Sequence, residues 1–175
     1  MSKAFTREDD DRPEEMVGRR ATVATPSGRN LLTPGGARRL HGELCRLRDE
    51  ERPALMLAAA AGGVAGGEAQ ERLSRVNARL AELQQSLALA EVVRAPAPPR
   101  DTVQFGAMVT VRAGDGAESS YRIVGVDEAD AARGEVSWLS PIARALLNTR
   151  GGQRVTFRFP RGEAELEIVR IDYEE

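Results

Sequence analysis

The sequence predicts an α+β protein in two parts: an N-terminal antiparallel α-helical coiled-coil hairpin, then a small, mostly antiparallel β domain with one short helix. Three observations predict it. Apolar residues recur at alternating three- and four-residue spacing on both sides of a glycine cluster, a proline-rich stretch follows at residues 94–102, and beyond it the apolar period changes to two. A sustained three-four alternation marks a coiled-coil seam, whereas period two marks a half-buried strand.

Residues 1–30 carry six acidic and six basic residues, with an acidic run at Glu8-Asp9-Asp10-Asp11 and prolines at 12 and 26. So little apolar surface cannot offset the entropy of ordering, and a disordered or loosely attached tail is expected. The hairpin is expected over 31–93. Thr33-Pro34 opens its first arm, because a threonine side chain can cap a free backbone N–H and proline lacks the N–H that has no partner at the first helical position. Ala37, Leu40, Leu44 and Leu47 then form one seam, and Leu73, Val76, Leu80, Leu83 and Leu87 form the matching one. Pro53 removes one helical hydrogen bond; the alanine-rich run Ala54–Ala61 favours resumption of the helix, so a kink is expected there. Between the arms, Gly62, Gly63, Val64, Ala65, Gly66 and Gly67 are expected to break the helix, since glycine costs about 1 kcal/mol per position relative to alanine. The short link makes the arms antiparallel.

Residues 94–102, with Pro96, Pro98 and Pro99, read as a stiff linker. In the domain expected over 103–175, Ala107–Arg112 and Tyr121–Val126 flank a turn at Ala113-Gly114-Asp115-Gly116 and read as a β-hairpin. Glu135–Leu139 is a further strand, Pro141–Asn148 a short helix ended by Gly151-Gly152. Two last strands flank Pro160-Arg161-Gly162-Glu163. The first places Val155, Phe157 and Phe159 on one face; in the second the apolar parity slips between Ile168 and Val169, which predicts a bulge.

Composition excludes several function classes. Cys45 is the single cysteine, so neither an internal disulfide nor a cysteine-based zinc site can form. No apolar run reaches the roughly 18 residues of a membrane span, and the N-terminus has no apolar segment resembling a signal peptide, so a soluble cytoplasmic protein is expected; its expected state is a monomer. A net charge of −2 argues against a protein that coats nucleic acid. His41 has no companion ligands at metal spacing and is expected on the surface, with Cys45 a small hydrophobe at the seam edge. The glycine cluster lacks the Gly-Lys-Ser/Thr ending and preceding strand of a phosphate-binding loop.

Two motifs carry a resemblance. One is Thr33-Pro34 with Glu51-Arg52-Pro53 further along the first arm. The other is Ser140-Pro141-Ile142-Ala143-Arg144-Ala145-Leu146-Leu147, preceded by Tyr121-Arg122-Ile123-Val124-Gly125 and Asp127-Glu128-Ala129. Together, over about Leu31 to Tyr173, the chain resembles the Gre family of bacterial transcript cleavage factors, closer to the GreB type in its acidic N-terminal extension. The resemblance implies an FKBP-like C-terminal domain that docks on core RNA polymerase at the rim of the secondary channel, here through Leu139, Ser140, Pro141, Ile142, Ala143 and Arg144. It implies a coiled coil reaching toward the active centre, where acidic tip residues help hold a second Mg²⁺ and the polymerase hydrolyses its own backtracked transcript. Such a factor is an accessory protein, not an enzyme.

The chain departs from that pattern at the tip. The family carries a Gly-Asp-x-Ser-Glu-Asn type segment there; this chain has Gly62–Gly67, with Glu68 and Glu71 the nearest carboxylates. Its tip region is shorter by roughly two helical turns, which lowers the tip by about 5 Å when shared between two arms. The position before Ser140, commonly polar in the family, is Leu139. Glu68 and Glu71 share a helix face, as a residual metal lure or as the acidic residues that favour helix N-termini. Arg72, Arg75 and Arg79 form a stripe that faces the transcript in the family, or else a solvated face with helix ion pairs. These readings predict a polymerase-binding regulator that acts by occupancy, with no cofactor of its own. The alternatives are an active cleavage factor using polymerase-bound Mg²⁺ at Glu68 and Glu71, and a prolyl isomerase, which the aromatic-poor C-terminal half disfavours.

Overall fold

A computed structural model describes residues 29–159 and 162–174. The tail expected over 1–30 therefore lies outside the described residues up to residue 28. Arg29 and Asn30, assigned to it from sequence, belong instead to the folded part: Asn30–Leu32 forms strand β1.

Helix α1 spans Pro34–Arg46 and starts as its sequence dictates, with the Thr33 hydroxyl accepting a 2.9 Å hydrogen bond from the Gly36 N–H and Pro34 in the first turn. A π-helical turn over Leu47–Glu51 leads into α2, Arg52–Ala60. The Arg52 N–H reaches back to the Leu47 carbonyl. Proline at 53 has no N–H to give, and its ring crowds the carbonyl four residues back. The widened turn meets that need within a continuous helical path.

Helix α3 runs Gly63–Ala88, so the expected glycine break is corrected: only Ala61 and Gly62 lie between the helices. Gly62 and Gly63, both at φ near +70°, make the reversal. The remaining glycines join the helix because packing outweighs their propensity cost of about 1 kcal/mol each. Gly66 is buried against α2, and a Cβ there would sit 3.1 Å from the Ala59 carbonyl oxygen. The seam forms as its spacing predicts, with Leu40, Leu44 and Leu47 buried against Val76, Leu80 and Leu83. After α3, strand β2 (Ala90–Val92) pairs in parallel with β1 and closes the base of the hairpin.

The C-terminal sheet comprises β3 (Ala107–Ala113), β4 (Glu118–Val124), β5 (Glu135–Ser137), β6 (Arg154–Phe159) and β7 (Gly162–Tyr173), in the order β5-β4-β3-β7-β6. All pairings are antiparallel except β4 with β5. Opposite β3, Ile168 faces Val111 and Arg170 faces Thr110, so Val169 is the extra residue of the expected bulge. Helix α4 (Pro141–Leu146) packs Ala143 and Leu146 on a core of Val103, Val109, Val111, Ile123 and Ile168.

Candidate functional site

Three regions are candidates for a functional role: the segment around α4, the free end of the hairpin, and the joint between hairpin and sheet. At α4, the Ser140 hydroxyl accepts a 3.3 Å hydrogen bond from the Ala143 N–H, and Pro141 follows in the first turn. The helix then divides the six expected docking residues. Ala143 is fully buried and Ile142 packs against the core, so both shape the segment from within. Pro141 and Arg144 are exposed, while Leu139 and Ser140 are half-buried beside them. The neighbouring Trp138 packs on the same core, with its indole N–H buried and without a hydrogen-bond partner.

At the free end, Gly62, Gly63, Val64 and Ala65 are exposed, as is Gly67, whereas Gly66 is buried between the arms. Glu68 and Glu71 are exposed on the first turns of α3, and Glu71 pairs with Arg75 at 3.5 Å. Among the described residues no group of three or more His, Cys, Asp or Glu side chains gathers in a way that could hold a metal ion. Mg²⁺ prefers several hard oxygen ligands in near-octahedral array. Water and phosphate oxygens usually supply most of these, with one or two carboxylates; here Glu68 and Glu71 lie one turn apart, and the Arg75 guanidinium competes for the Glu71 carboxylate.

The arginine stripe divides as well. Arg79 donates to both oxygens of Glu43 on α1, at 2.8 and 3.0 Å, and to Glu82. The bond to Glu43 pushes its pKa up, against the lowering effect of burial. Arg79 therefore ties the two arms together. Arg72 and Arg75 remain on the exposed face. On the first arm, Arg39, Arg46 and Arg48 pair with Glu135, Glu51 and Asp49 respectively.

The joint is built around a 3₁₀ turn at Val126–Glu128. Glu128, only 6% exposed, accepts bonds from the Thr33 N–H at 2.7 Å and the Thr33 hydroxyl at 3.0 Å through one oxygen, and from the Gly125 N–H at 3.2 Å through the other. Burial raises its pKa, and these donors only partly offset the shift. Beside it lies a cleft of about 190 Å³ lined by Arg39, Glu43, Arg79, Asp130, Arg133 and Glu135.

Relatives match most of the chain. A transcription elongation factor GreB of Neisseria meningitidis serogroup A is 36% identical over 154 residues, covering 83% of this chain and 94% of that protein. The chain belongs to the GreA/GreB family. The family model described as "Transcription elongation factor, GreA/GreB, C-term" matches residues 98–173. A GreA of Alkalilimnicola ehrlichii is 41% identical over 152 residues, 81% of this chain and 96% of that protein, and a GreA of Anaeromyxobacter sp. (strain K) is 38% identical over 153 residues, 82% and 92%.

In this Gre-family transcription elongation factor, the expected docking segment and tip lie in stretches that stand out in the sequence, whereas the joint does not. Thr33 was legible as a helix cap, and Asp127-Glu128 as part of a motif. That the two meet, 95 residues apart, left no local signal. Their common trace is glycine: a Cβ on Gly36 would lie 1.6 Å from a Glu128 oxygen, and one on Gly125 would lie 2.0 Å from the Leu31 carbonyl oxygen.

Proposed function

We propose that this Gre-family factor binds core RNA polymerase at the rim of the secondary channel and regulates elongation by occupying that channel, without stimulating transcript cleavage. The face around Leu139, Ser140, Pro141 and Arg144 docks, and the hairpin enters. With 26 residues in α3, the long arm spans about 39 Å. The chain acts in the cytoplasm as a monomeric accessory factor with no active site of its own.

One observation carries the reading: the exposed end of the hairpin consists of Gly62, Gly63, Val64 and Ala65, and of the two carboxylates behind it Glu71 is paired with Arg75. A two-metal hydrolytic site needs its second ion held close to the first by hard ligands. A displacement of 1 Å can lower a rate by about 100-fold, so Glu68, set back along α3, is a poor substitute. The remaining effect of such a tip is steric.

The test uses backtracked elongation complexes in which a limiting amount of a cleavage-active Gre factor drives cleavage. Titrating this protein in should lower the cleavage rate in a dose-dependent way. An unchanged rate in large excess would mean that the two do not share a site, and would refute the proposal.

A further inference from the structure

The hairpin base is bonded to the sheet domain at a short turn. Asp127 and Glu128 are neighbours on the 3₁₀ turn after β4, and each grips a different part of the hairpin base. Glu128 takes the start of α1: its Oε1 accepts from the Thr33 backbone N–H at 2.7 Å and from the Thr33 hydroxyl at 3.0 Å. That hydroxyl in turn accepts from the Gly36 N–H at 2.9 Å, so the helix cap and the carboxylate form one chain of bonds. A negative group at this end also complements the dipole of α1. Asp127 takes the end of α3 and strand β1: its Oδ2 accepts from the Ser86 hydroxyl and, at 3.1 Å, from the Asn30 amide. The same Asn30 amide bonds the Ser86 carbonyl at 3.0 Å.

Both arms are thus fixed to the domain by adjacent carboxylates on a turn of three residues. Close backbone approach completes the clasp, since neither Gly36 nor Gly125 has room for a Cβ. Arg39 with Glu135, and Arg122 with Glu174, flank it.

We infer that Asp127 and Glu128 are positioning residues: together they lock the hairpin and the docking domain into one rigid body and aim the tip. The consequence for transcription rests on the occupancy reading proposed above; the rigidity does not.

The experiment measures the distance between spin labels on the full chain in a Cys45→Ser background, one label at Val64→Cys on the tip and one at Ser119→Cys on exposed β4. The otherwise native chain should give one narrow distance distribution. Asp127→Ala combined with Glu128→Ala should broaden and shift it, while far-UV circular dichroism retains the helical signal and the buried sheet core stays protected from hydrogen exchange. An unchanged narrow distribution would overturn the inference. If the double variant fails to fold, Thr33→Val gives the second reading. It removes the hydroxyl that joins the Gly36 N–H cap to Glu128 and leaves the Thr33 backbone N–H bond in place, so it should broaden the distribution to a lesser degree; a distribution as narrow as the native one would count against the inference equally. A released hairpin should also compete less well with an active Gre factor at equal concentration. Were the native chain itself not to compete, the occupancy reading would fall while the distance result still decided the positioning role.

Discussion

Two glycines in one helix should respond to the same substitution with opposite sign. Gly36 and Gly42 both lie in α1, and replacing glycine by alanine inside a helix ordinarily stabilises by about 1 kcal/mol. At Gly42 nothing lies within 4 Å of the new Cβ, so the full gain should appear. At Gly36 the Cβ would meet the Glu128 carboxylate at 1.6 to 2.6 Å, and the buried carboxylate has to move. Moving it breaks its two bonds to Thr33, each a charge-assisted bond of about 1.5–3 kcal/mol. Against the propensity gain of about 1 kcal/mol, Gly36→Ala should destabilise by roughly 2–5 kcal/mol. Urea unfolding of the two variants and the parent, followed by circular dichroism at one pH, reads both effects. A Gly36→Ala variant as stable as the parent would refute the claim that Glu128 is confined where the structure places it.

The Arg79–Glu43 pair joins the arms at about one-third exposure, so Glu43→Ala should cost about 1 kcal/mol, an effect that shrinks in high salt; an unchanged urea midpoint at low salt would count against the tie. The raised pKa of Glu128 fixes the sign of a pH effect. Its contribution is fully present below the ordinary value of 4.5 and is lost as pH rises through the raised value, so the stability of the parent relative to Glu128→Gln should fall from acid toward neutral pH. Glu174 has the opposite sign, because Arg122 lowers its pKa and its contribution disappears on acidification; it is mostly exposed, so its share is small. At α4, Arg144→Ala should leave the melting temperature unchanged and weaken competition at the polymerase. Ala143→Leu should unfold the domain at lower temperature, since Ala143 is fully buried.

Much of this molecule was legible in its sequence where a periodic pattern met an ordinary environment. The leucine seam, the Thr33 and Ser140 caps and the parity slip at Val169 all follow from spacing and side-chain chemistry. The readings that failed depended on distant partners. Gly62–Gly67 looked like a helix breaker, yet α3 begins at Gly63, and Gly66 packs against α2 so tightly that a Cβ would sit 3.1 Å from the Ala59 carbonyl oxygen. Strands β1 and β2 have three residues each, too few to show a period, and exist because Leu32 is fully buried at the hairpin base. Arg79 looked like part of a surface stripe until folding brought Glu43 across from the other arm. Of the six residues expected to dock, the motif named all, but only burial separated Ala143, which packs in the core, from the exposed Arg144.

Occupancy of polymerase without promotion of cleavage, as proposed for this Gre-family factor, can be read in a single reaction. The most direct measurement adds the protein alone, at saturating concentration and in excess Mg²⁺, to backtracked complexes and follows the transcript. Cleavage should proceed at the intrinsic rate of the polymerase, the same for the parent and for a Glu68→Ala/Glu71→Ala variant. Accelerated cleavage that disappears in that variant would contradict it, and would make Glu68 and Glu71 the metal-holding residues of an active factor.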